Sequence, residues 1–95
     1  MEQFEEIRKI ALELFERRKF TISKHANERM VERRISHSDI KLVLLYGSLY
    51  RQETDEYGDI RYTMRGWNQE SRNIRIAFIV KNLLIIITVI REEEI

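Results

Sequence analysis

Ninety-five residues, 43% of them hydrophobic, are enough for one domain, 1–95, with a core that buries about two-thirds of the unfolded surface. The absence of cysteine excludes disulfides and thiolate metal sites, and the longest apolar run, Leu83–Ile90, has eight residues, too few to span a bilayer. Seventeen Lys/Arg against sixteen Asp/Glu leave a net charge of +1, but the charges segregate: residues 17–34 carry +5 and 60–81 carry +4, against −3 for 1–16, −3 for 35–59 and −2 for 82–95.

Two basic blocks in a near-neutral chain are compatible with one basic face turned toward an anion. Residues 2–19 are charged on every turn and lack the apolar stretch of a signal peptide, so a soluble, cytoplasmic protein with no membrane partner is expected.

Residues 3–18 follow a helical stripe: Phe4, Ile7, Ala11, Leu14, Phe15 and Arg18 fall on one side. Glutamates crowd its start, and Arg17, Arg18 and Lys19 are expected in its last turn, as the helix dipole favours. Phe20–Ile22 reads as a short extended piece. Ser23 is a candidate N-cap for a helix in which Ala26, Met30 and Val31 face the core. On that helix His25, Arg29 and Arg33 are spaced by four and form one row.

Ser36 and Asp39 have the spacing of a capping box, and Ile35 and Ile40 that of a hydrophobic staple. Ile40, Val43 and Leu44 supply the buried stripe of this third helix, and Gly47 is placed as the C′ glycine that ends it.

Beyond Gly47 the period changes to two. Strands are expected over 48–54, 59–66, 72–80 and 83–91, with a turn at Asp55–Gly58, a loop at 67–71 and a two-residue connection at Lys81–Asn82. The last strand is apolar on both faces, the pattern of a central strand or of one whose second face meets another copy of the chain in a homodimer. Glu92–Glu94 reads as a solvated acidic end. The fold class is α+β, with N-terminal helices packed on one face of a four-stranded antiparallel sheet.

Two groups of residues have chemistry to offer. A histidine that titrates near neutrality, beside guanidiniums that bind phosphate oxygens, makes His25, Arg29 and Arg33 a candidate catalytic row able to stabilise a phosphorane-like transition state without a metal. The same row also suits a solvated helix face with Arg29 and Arg33 paired to Glu28 and Glu32. Arg61, Arg65 and Arg75 alternate out of phase with the apolar strand positions, and Thr88 interrupts an aliphatic strand. These four are the candidate substrate-binding residues. His25 with Glu28, or His37 with Asp39, supplies only two ligands, so no metal site and no cofactor are expected. Tyr62 and Trp67 are the aromatics available for base stacking.

The run Ser23-Lys24-His25-Ala26-x-x-Arg29-Met30-x-Glu32-Arg33-x-Ile35-Ser36-x-x-Asp39-Ile40, followed by Gly47, resembles the signature of the domain-of-unknown-function family 4258. Tyr62, the Ile74–Val80 strand and the Leu83–Val89 strand with Thr88 extend the resemblance over about 20–91. That family is similar to the small RelE/ParE and BrnT-like toxins. The resemblance implies a RelE-like sheet with helices on one side, metal-independent endoribonuclease activity, and an antitoxin protein and RNA as partners. It carries His25, Arg29 and Arg33 over as catalytic residues and Thr88 as a further site residue. The alternative is a non-catalytic module that binds nucleic acid or protein.

Overall fold

The computed structural model describes residues 2–94, except for the side chains of Glu2 and Glu94. Its order is α1 (Glu2–Glu16), β1 (Phe20–Ile22), α2 (Lys24–Arg33), α3 (His37–Tyr46), β2 (Ser48–Thr54), β3 (Ile60–Trp67), β4 (Asn73–Val80), β5 (Leu84–Arg91) and a 3-10 turn, η1 (Glu92–Glu94).

The stripe on α1 buries Phe4, Ala11 and Phe15. The helix stops before the basic run expected in its last turn. Arg18 turns left-handed (φ 60°), and the amides of Arg18 and Lys19 return to the carbonyls of Phe15 and Leu14 at 3.1 and 2.8 Å. This is a Schellman closure with arginine where glycine is usual. Arg34 closes α2 in the same way (φ 54°), with Ile35 N–H on the Met30 carbonyl at 2.9 Å.

Ser23 caps α2 by accepting from the Ala26 amide at 3.0 Å, and its hydroxyl donates to the Ile87 carbonyl at 2.9 Å, so one side chain both starts the helix and ties it to β5. Ala26 and Met30 enter the core, but Val31 is 81% exposed, one position beyond the buried stripe. Around α3 the capping box forms in both directions: Ser36 N–H donates to the Asp39 carboxylate at 2.9 Å, and Asp39 N–H to the Ser36 hydroxyl at 3.2 Å.

Gly47 is extended (φ −74°), not left-handed. Glycine is required there by close approach, since a Cβ would lie 2.5 Å from the Val43 carbonyl oxygen and 2.8 Å from that of Arg65. The left-handed glycine is Gly58 (φ 84°), in the β2–β3 turn.

The sheet has five strands in the order β1-β5-β4-β3-β2. The four-stranded antiparallel expectation is corrected by β1, which runs parallel to β5 with Phe20, Thr21 and Ile22 opposite Leu84, Ile85 and Ile86. Three residues are too few to show a period, and their pairing lies more than sixty positions along the chain. The pairing makes β5 central, as its apolar composition suggests. Tyr62, Met64, Ile74, Ile76, Phe78, Leu84, Ile86 and Val89 form one core with the apolar residues of the three helices. The opposite face of the sheet is left open.

Candidate functional site

Strand alternation sends Arg61, Thr63, Arg65 and Trp67 of β3 to the open face. Pairing then builds two rows across the sheet. Arg51 lies opposite Thr63, Thr63 opposite Ala77, and Ala77 opposite Thr88. In the neighbouring row Arg65 lies opposite Arg75, and Arg75 opposite Ile90. Ala77, the smallest side chain in the first row, leaves a hollow of about 170 Å³. Arg61, Arg75 and Thr88 line it, together with Tyr50, Arg51 and Glu53 of β2. Three of the four expected substrate-binding residues therefore meet in one pocket.

The fourth, Arg65, joins them through Glu92. Arg65 donates to the two Glu92 carboxylate oxygens from Nε at 2.5 Å and from Nη2 at 2.9 Å, and Arg75 Nε donates to the same carboxylate at 2.9 Å. The Arg65 hydrogen bonds, followed by that from Arg75, hold the Glu92 carboxyl below its ordinary range, and Glu92 raises Arg65 in return. The expected solvated acidic end is corrected at Glu92, whose side chain is only 17% exposed; Glu93 stays exposed while it pairs with Arg72 at 2.6 Å and Arg91 at 3.2 Å, and the Glu94 side chain lies outside the described residues.

Tyr50 reaches the open face by simple alternation from core-facing Leu49, and the β-bulge between Leu49 and Arg51 re-aims Arg51, opposite Thr63, to that same face. The Arg75 guanidinium lies 4.1 Å from the Tyr50 ring centroid and that of Arg51 5.6 Å, distances at which cations are held over an aromatic face. Arg61 Nε is buried with no hydrogen-bond partner among the described residues. The Tyr62 ring is 6% exposed on the helical side and cannot stack on a base, whereas Trp67 is 54% exposed.

The α2 row is geometrically real and lies on the helical layer, away from this pocket. Arg29 Nε donates to His25 Nε2 at 3.5 Å, a long contact, and Arg29 also pairs with Glu32 at 3.1 Å. Arg33 lines a different cleft, of about 320 Å³, with Arg34, Arg72 and Arg91 interleaved with Glu32, Glu70 and Glu93. The seven candidate residues therefore form separate groups. Among the described residues no three His, Asp or Glu side chains are placed to hold a metal ion.

Chemically, the open-face pocket offers guanidinium donors for anionic oxygens, a phenol and a carboxylate for proton transfer, and threonine hydroxyls for neutral polar contacts. The model of a family described as Domain of unknown function (DUF4258) matches residues 22–91. No curated protein and no solved structure matches the chain.

Proposed function

Since the chain belongs to the DUF4258 family, we propose that it is a toxin-like endoribonuclease of the RelE/ParE kind, cutting RNA without a metal on the open face of its sheet. The observation that carries this reading is the convergence of Arg51, Arg61 and Arg75 on a hollow that also holds Tyr50 and Glu53. Glu53 takes the proton from a ribose 2′-hydroxyl as its oxygen bonds to phosphorus. The guanidiniums bind the negative charge on the phosphoryl oxygens, and Tyr50 gives its proton to the departing 5′-oxygen. The products are a 2′,3′-cyclic phosphate and a free 5′-hydroxyl. An acidic antitoxin segment laid across the same arginines would silence the site by charge complementarity.

A second reading keeps proton transfer on α2, favoured by the contact between His25 and Arg29. There His25 is the acid or base, and Arg29 and Arg33 hold the phosphate.

Incubating end-labelled RNA with the protein in EDTA tests both. On the open-face reading wild type cleaves, Arg75→Ala loses about 10²–10³ in rate as expected for a lost oxyanion donor, Glu53→Gln is similarly impaired, and His25→Ala cleaves normally. Loss in His25→Ala with Glu53→Gln intact moves the chemistry to α2. Salt-sensitive RNA binding with no cleavage by wild type leaves a non-catalytic binding module.

A further inference from the structure

Arg65 and Arg75 stand directly opposite each other on adjacent antiparallel strands. Two like charges in that register repel. The arrangement is relieved by an anion placed between them, and the carboxylate of Glu92 is that anion. It presents two oxygens to one guanidinium and shares one of them with the second, the contact pattern that a phosphate's non-bridging oxygens make with an arginine pair. Glu92 belongs to η1, three residues in length, so its carboxylate is held by its ion pairs and one short turn rather than by an extended sheet or helix.

We propose that Arg65 and Arg75 form a second phosphate subsite, next to the hollow lined by Arg61 and Thr88, and that Glu92 is its resting occupant, displaced when an RNA phosphate binds. This rests on the open-face reading and adds the position of a neighbouring phosphate and a built-in competitor for it. Arg75 belongs to both subsites: its guanidinium covers Tyr50 at the rim of the hollow while its Nε holds Glu92. Displacing Glu92 therefore frees a cation at the pocket where cleavage is proposed.

The test uses a fluorescein-labelled, 2′-O-methylated eight-nucleotide RNA, which binds but cannot be cut, titrated into full-length wild type, Glu92→Gln, Glu93→Gln and Arg61→Ala. Glu93→Gln changes the net charge by the same amount but leaves Arg65 and Arg75 paired. Removing the competitor from two partly exposed ion pairs is expected to tighten binding by about fivefold in Glu92→Gln, with less than a twofold change in Glu93→Gln. Because wild type seats the same phosphate once Glu92 is displaced, the slope of log Kd against log salt should not change in Glu92→Gln, and adding Arg65→Ala to Glu92→Gln should abolish the gain, which a purely structural role for Glu92 would not predict. If wild type binds and Arg61→Ala weakens it, but Glu92→Gln matches Glu93→Gln, the subsite is wrong and the open-face reading stands. If no variant binds the RNA, the open-face reading fails and the subsite with it.

Discussion

Arg18 and Arg34 occupy the left-handed position that closes a Schellman motif. A side chain costs about 1–2 kcal/mol in that conformation, while glycine gives back part of the gain through its greater unfolded-state freedom. Arg34→Gly should therefore stabilise the protein by somewhat under about 1 kcal/mol, read as a raised urea midpoint with unchanged slope. At Gly47 the logic is opposite, because glycine is demanded by the Val43 and Arg65 carbonyls and not by φ. The sequence marked Gly47 as a helix end but not the reason, because the carbonyl of Arg65 comes from a strand that only the fold brings near. Asp39 is a similar case. Its capping role was legible from Ser36 three positions before it, yet its Oδ1 also accepts from Gln69 N–H at 2.9 Å, so the cap anchors the β3–β4 loop as well.

The elements are joined by polar contacts that no local pattern announces. Arg8 of α1 donates from Nη1 to the carbonyls of Leu44 and Leu45 at 3.1 and 3.0 Å, closing the C-terminal turn of α3, while its Nη2 pairs with Glu5 at 2.6 Å. The last carbonyls of a helix lack internal partners, and a cation there also meets the negative end of the dipole. Arg8→Ala should cost about 1–2 kcal/mol, more than the few tenths expected for Arg29→Ala, whose pair with Glu32 is exposed. Comparing the two thermal midpoints checks this, and an equal loss would give Arg29 a structural role. The α2 row was readable from a spacing of four because helical neighbours are local. The open-face pocket needed four strands in register, and Arg51 needed a bulge to join it.

For the molecule as a whole, η1 is fastened to the sheet by ion pairs, through Glu92 to β3 and β4 and through Glu93 to Arg72 and Arg91. This gives the fold a defined acid sensitivity. The carboxyl of Glu92 titrates below its ordinary value of 4.5 because of its hydrogen bonds to Arg65 and Arg75. The unfolded state then binds the proton first, so the contribution of Glu92 is complete above the ordinary value and disappears as pH falls through the lowered one. Glu5, lowered mainly by its hydrogen bond from Arg8, has the same sign. The stability gap between wild type and Glu92→Gln should stay constant near neutrality and narrow as pH falls below the ordinary carboxyl value of 4.5. A gap with no pH dependence in acid would mean that Glu92 acts through packing instead.

Composition and periodicity by themselves determined the helices, the caps at Ser23 and Ser36 and which residues of β3 and β4 face away from the core. Each of these depends on neighbours within a few positions or on the hydrophobic alternation of one segment. Only the tertiary structure decided the parallel pairing of β1, the approach at Gly47 and the separation of the α2 row from the sheet arginines. It also decided that Glu92, which the sequence leaves as one acid in a run of three, closes the gap between Arg65 and Arg75. Those outcomes depend on strand register and the bulges within it, and register is set by the packing of all five strands at once.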